Sequence, residues 1–209
     1  MATGGLIGYY GLSGWWESAL TLEERDYIES LFHPLGSVDG RPLTEGAPQC
    51  VVGTTAAATG LISSLFGWLK ATPRDYLIRW KLREKMIELA STEPNVLATH
   101  FALQVLIAAF YRDREVDPDA RPAAIAACQA QIALAPRAAV ALRQEYPGRP
   151  LPRHVGYQQL AVILEQAGEY AQVVSLCREA ATAEWAGDWV KRIARCQRRM
   201  ASSPAGTTH

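Results

Sequence analysis

Residues 154–200 read HVGYQQLAVILEQAGEYAQVVSLCREAATAEWAGDWVKRIARCQRRM, and their apolar spacing leaves few ways to fold. Tyr157, Leu160, Ala161 and Leu164 recur three and four apart, which places them on one face of a helix. Gly168 breaks the run, and Tyr170, Val173, Cys177 and Ala180 then repeat the same spacing. Two short amphipathic helices with a glycine between them form a hairpin whose apolar faces meet. Trp185, Trp189, Ile193 and Cys196 continue the pattern into a last helix over 188–200 that closes the rear of the hairpin.

This hairpin resembles a tetratricopeptide repeat. That family has an aromatic residue, a leucine three on and then a small residue in its first helix, matched here by Tyr157, Leu160 and Ala161. Its second helix has a small residue thirteen after the leucine, a bulky one four later and an alanine three later, falling here on Val173, Cys177 and Ala180. Val173 stands for the usual alanine, Cys177 for the usual aromatic, and no proline closes the unit. A degenerate earlier copy is predicted over 96–136, with Ala124, Ile125 and Cys128 echoing Val173, Val174 and Cys177, and His100, Leu103 and Ile107 laid over Tyr157, Leu160 and Leu164. The resemblance implies an all-α fold of antiparallel hairpins stacked as a short right-handed superhelix. It also implies a peptide-binding concave face lined by the first helices: Val155, Gln158, Gln159, Val162 and Gln166, with Ala98, Phe101 and Val105 from the earlier copy. Family members that hold a carboxyl terminus use lysine and asparagine on that face. Gln158 and Val162 replace them here, so no carboxylate clamp is expected. The competing arrangement has the N-terminal region lying over these first helices and closing the groove.

The rest of the chain divides into an N-terminal region (1–49), a helical body (50–200) and a short tail (201–209) expected to be disordered. The start is rich in glycine and rings, with Tyr9, Tyr10, Trp15 and Trp16 close together, and is predicted to be irregular. Thr21 and Glu24 form a capping-box pattern ahead of Leu22, Tyr27, Ile28, Leu31 and Phe32, which predicts a helix ending near His33. Glycines and prolines make 35–49 the longest loop. A second helix is predicted over 55–70. Thr72 and Pro73 open a third, running to about residue 90, with Tyr76, Leu77, Trp80, Met86, Ile87 and Leu89 inward and Arg74, Arg79, Lys81, Arg83, Glu84 and Lys85 outward. An alanine-rich helix follows over 96–112, and another stops at Pro136. The order of these pieces also resembles a group of bacterial proteins with a helical, repeat-like C-terminal half, to which no activity attaches.

With 21 basic and 21 acidic side chains, no global field draws the chain to nucleic acid or anionic lipid. Cys50, Cys128, Cys177 and Cys196 lack CxxC spacing and read as reduced packing residues, which fits a cytoplasmic setting. The N-terminal residues lack the pattern of a secretory signal, and the apolar run 51–69 is interrupted by threonine, serine and glycine, so a buried helix is expected there and no membrane span. His33, His100, His154 and His209 form no ligand pair, and no HExxH, Cys-His cluster or phosphate loop is present. No catalytic residue, metal or cofactor is assigned. The expected function is contact with a protein or peptide partner. Two rival classes stand beside it: an enzyme with a site near His100 and the aromatic N-terminus, or a nucleic-acid or membrane-associated module using Lys191, Arg192, Arg195, Arg198 and Arg199 of the last helix.

Overall fold

The computed structural model describes residues 4–34, 40–46, 57–70 and 72–202. Among them every regular element is a helix: α1 (Gly5–Tyr9), α2 (Ser13–Ala19), α3 (Leu22–Leu31), α4 (Ala58–Trp68), α5 (Pro73–Thr92), α6 (Val96–Asp113), α7 (Ala120–Glu145), α8 (Val155–Gln166), α9 (Tyr170–Thr182) and α10 (Trp189–Ser202). The β-type pairing among the described residues is a single bridge between Arg153 and Ala186. The expectations for Cys50, for 51–56 and for most of the tail lie outside the described residues.

Local chemistry accounts for the helix starts. The Thr21 hydroxyl accepts from the Glu24 amide at 3.2 Å while the Glu24 carboxylate takes the Thr21 amide at 2.8 Å, a reciprocal cap on α3. One-sided caps start the next two helices: the Thr72 hydroxyl accepts from the Asp75 amide, and the Asn95 side-chain oxygen from the Leu97 and Ala98 amides. At the end of α8, the Gly168 amide donates to Glu165 and the Glu169 amide to Leu164, with Gly168 at a φ of 79°. This pair of bonds satisfies the last carbonyls and turns the chain into α9.

Two expectations are corrected. The glycine- and ring-rich start is helical, not irregular: Leu6, Ile7, Leu12, Trp16 and Leu20 are buried, and Gly11, at a φ of 69°, makes the turn between α1 and α2. The loop 40–46 is held against α1 by bonds from the Gly5, Leu6 and Ile7 amides. Nor does the helix after the 113–119 turn stop at Pro136; α7 runs through it. Pro136 is exposed, so the carbonyl one turn before it can bond water, while Ala135, Ala138, Ala139 and Leu142 keep their packing on the inner side.

The core has two connected parts. The first joins the N-terminal helices, Leu43 and α4 to the inner sides of α5 and α6, and the second joins the end of α7 to α8, α9 and α10 around Tyr157, Val173, Cys177, Trp185 and Cys196. Ile132, Leu164 and Leu176 pack against both. By length and apolar composition α7 could cross a bilayer, and here it packs on α6 and α8.

Candidate functional site

Helix α5 departs from the sequence expectation at five positions, Leu77, Trp80 and Ile87 facing out and Arg79 and Arg83 buried, while Met86 is inward and Arg74 and Glu84 outward as expected. Its buried row is Asp75, Ile78, Arg79, Leu82, Arg83 and Met86. Leu77, Trp80 and Ile87 are 60%, 48% and 45% exposed, whereas Arg79 and Arg83 are each 2% exposed. The physical reason lies at the far end of α6. Arg79 donates to Asp113 at 2.8 Å, and Arg83 lies 3.6 Å from the other oxygen of Asp113 and 3.3 Å from Asp117. Arg79 also donates to the Lys70 carbonyl. The Arg83 guanidinium lies 5.1 Å from the centre of the Phe110 ring. Two carboxylates and a carbonyl thus receive charges that would otherwise need water.

Turning these arginines inward leaves an apolar strip in solvent. It borders a cleft of about 520 Å³ between α5, α6 and α7, lined by Ile87 and Ala90, by Leu103, Leu106 and Phe110, and by Ala123, Ala126, Ala127, Ala130 and Leu134. Ser91 and Thr99 are the hydroxyl-bearing residues in the lining. A cavity of this size, apolar on three sides, suits side chains and offers almost nothing to a charged small molecule.

The residues singled out on α8 and α6 are placed differently. Val155 packs against the first core, Gln158, Gln159 and Val162 are half-buried, and Gln166 is exposed and accepts from the Tyr111 hydroxyl at 3.3 Å. Phe101 is half-buried beside a separate cleft of about 270 Å³ with Leu142, Tyr146 and Leu151, a lining that includes no α8 residue. The cleft beside Phe101 is thus formed without the five α8 positions.

His100 is 1% exposed, and the rings around it are Phe101, His154 and Trp185 rather than those of the N-terminus. Burial pushes His100 down to about 4; burial, then the neighbouring His100, pushes His154 down to about 3, so both rings are neutral near pH 7. Gln131, fully buried, donates to the His100 carbonyl at 2.9 Å and accepts from the Gly156 amide at 2.6 Å, tying α6, α7 and α8 together. This centre is sealed from solvent. Among the described residues, no group of three or more His, Cys, Asp or Glu side chains is placed to hold a metal.

The basic last helix is also corrected. Arg192 is buried, not outward, and Glu165 of α8 opposes it at 3.0 Å and Arg195 at 2.6 Å. Lys191, Arg198 and Arg199 remain outward. Pairing with Arg195 above all holds the Glu165 carboxyl below its usual 4.5.

Sequence reasoning missed the outer face of α5. Its signal was present: positions 75, 78, 79, 82, 83 and 86 themselves have helical spacing, and Asp113 and Asp117 were available as counter-charges. No known protein family, curated protein or solved structure matches the chain.

Proposed function

We propose that this chain is a non-enzymatic interaction module that binds another protein through the outer face of α5 and the adjoining cleft. The observation that carries this reading is that α5 buries Arg79 and Arg83 and leaves Leu77, Trp80 and Ile87 exposed. A buried ion cluster is seldom more stabilising than apolar residues of similar volume, and a contiguous exposed apolar patch is unfavourable in a monomer. Folding alone would be served better by the opposite facing. Leaving Leu77, Trp80 and Ile87 in water is understandable when a partner covers them.

The repeat-like reading is compatible with this. Helices α6 with α7 and α8 with α9 pack as successive pairs, and Ala124, Cys128, Val173 and Cys177 are all buried. In that reading α5 precedes the first pair, and the α8 face with Val155, Gln158, Gln159, Val162 and Gln166 is a second, flatter surface. The three described cysteines are free and buried, in keeping with a cytoplasmic setting.

The test compares wild type with Trp80→Glu/Ile87→Glu and with Gln158→Ala/Val162→Glu in affinity capture from the native host. A partner lost by the first variant and kept by the second is the expected outcome. Loss by the second variant alone would move the function to the α8 face. Because Trp80 and Ile87 are about half exposed, the first variant should stay folded and lose no more than about 1–2 kcal/mol in chemical denaturation.

A further inference from the structure

We infer that the occupant of the α5 strip is a helix of a partner protein that carries an arginine among its apolar contact residues. This deepens the interaction reading above and rests on it. The argument begins with the charges of α5. Each of its cations already has an acid: Arg74 with Glu23, Arg79 with Asp113, Lys81 with Glu24, Arg83 with Asp117 and Lys85 with Glu88. Among its acids, Asp75 accepts the Tyr27 hydroxyl at 2.9 Å and the Lys70 amide at 2.5 Å, and Glu88 holds Lys85. Glu84 is exposed and has no such partner.

Its position gives this meaning. Leu77, Trp80, Glu84 and Ile87 follow one another at spacings of three, four and three, so one carboxylate sits within an otherwise apolar strip on a single helix face. Covering the strip removes water from Glu84, which is costly unless the covering surface returns a cation. A purely apolar partner would strand the carboxylate, and an acidic one would repel it. A second copy, strip against strip, would bring in another Glu84 and no free cation from α5.

Backbone chemistry decides the occupant's form. The strip and the cleft are walled by helices, whose amides and carbonyls are bonded internally, so an extended peptide buried there would find no partners for its own backbone. A helix satisfies its backbone internally and offers apolar residues at every third and fourth position. From Leu77 to Ile87 the strip spans ten residues, about 15 Å at helical rise, or roughly three turns of an occupant. Trp80 lies one turn before Glu84, so a planar guanidinium can bond the carboxylate while lying against the indole, which a lysine ammonium matches less well.

The probe is a displayed library of helix-stabilised peptides with one randomised face, selected against the full chain and against Glu84→Arg. Wild type should enrich peptides with apolar residues at helical spacing and an arginine among them. The best of these should lose roughly tenfold or more in affinity toward Glu84→Arg and regain it when its arginine is changed to glutamate. Failure to enrich any helix whose binding depends on Trp80 overturns this inference, while the interaction reading falls only if affinity capture finds no partner lost with Trp80→Glu/Ile87→Glu. Helices that depend on Trp80 but show the same charge preference against Glu84→Arg overturn this inference alone. Should Glu84→Arg not fold, Glu84→Gln serves in its place, and an undiminished arginine preference overturns the inference.

Discussion

Helices α5 and α9 both carry apolar residues at helical spacing, yet they face their surroundings in opposite ways. In α9 the buried residues are Val173, Val174, Cys177 and Ala180, and Arg178 and Glu179 are exposed. In α5 the buried row includes Asp75, Arg79 and Arg83, while Leu77, Trp80 and Ile87 are left outside. The difference lies in the neighbours. Helix α9 packs on α8 and α10 through mostly apolar side chains, with polar contacts at the edge where the Tyr157 hydroxyl donates to Glu179 and Arg192 pairs with Glu165. Helix α5 packs on the end of α6, where Asp113 is 2% exposed and can hold two guanidinium groups. A helix buries its apolar face by default. Fixed counter-charges of the right sign let it bury a mixed one and leave apolar residues outside.

The largest expected effect tests that statement directly. Asp113→Ala leaves Arg79 and Arg83 facing each other without their shared carboxylate, and should lower stability in urea unfolding by about 3–5 kcal/mol. Replacing all three by apolar residues of similar volume should be close to neutral, because the network is then removed rather than broken. If Asp113→Ala unfolds with wild type, the arginines are not buried and the contrast with α9 disappears.

The second test reads the C-terminal half through pH. His100 and His154 are held neutral in the fold, at about 4 and about 3, against an ordinary value of 6.5. The unfolded chain therefore takes up protons first as pH falls. Stability from these two residues is complete above pH 6.5, declines as the pH drops from there, and levels off near the folded values. Proton uptake on unfolding from this pair should be about one at pH 6.5, rise to nearly two near pH 5 and fall again toward pH 4. His154→Asn retains a side-chain oxygen to cap α8 and should lower that number by about one. A stability profile as steep in the variant as in wild type would place His154 in solvent.

What could be read from residue order was whatever is decided within one or two helical turns. The Thr21–Glu24 cap, the Thr72 and Pro73 start and the Gly168 turn each depend on residues a few positions apart, and each lies where the spacing predicts. The facing of α5 depends on Asp113, 34 positions from Arg79, and the burial of Arg192 depends on Glu165, 27 positions away. Hydropathy assigns an arginine to solvent until its acid is located in space. That Phe101 lines a cleft with Leu142, Tyr146 and Leu151 was illegible for a similar reason, since these residues lie about 40 to 50 positions away in the chain. The cleft beside α5 is made by three helices, and its lining reads in sequence as ordinary core.

The smallest effects come from two glycines of α8 and its turn, which separate packing from backbone strain. At Gly156 a Cβ would lie 2.9 Å from the Cys128 carbonyl oxygen, 2.9 Å from Oε1 of Gln131 and 3.2 Å from the His154 ring. Gly156→Ala must therefore push α8 off α7 or displace Gln131 from the Gly156 amide, at a cost of about 1–3 kcal/mol. At Gly168 nothing lies within 4 Å of the added carbon, but the φ of 79° is the left-handed conformation that β-branched residues avoid. Gly168→Val should cost on the order of 1–3 kcal/mol through backbone strain. Asparagine discriminates between the two causes, because it tolerates the left-handed region yet is larger than alanine. Gly168→Asn should restore most of the melting temperature lost by Gly168→Val, whereas Gly156→Asn should melt no higher than Gly156→Ala. If asparagine rescues both positions, Gly156 is not pressed against α7. If it rescues neither, the turn at Gly168 is limited by packing rather than by backbone strain.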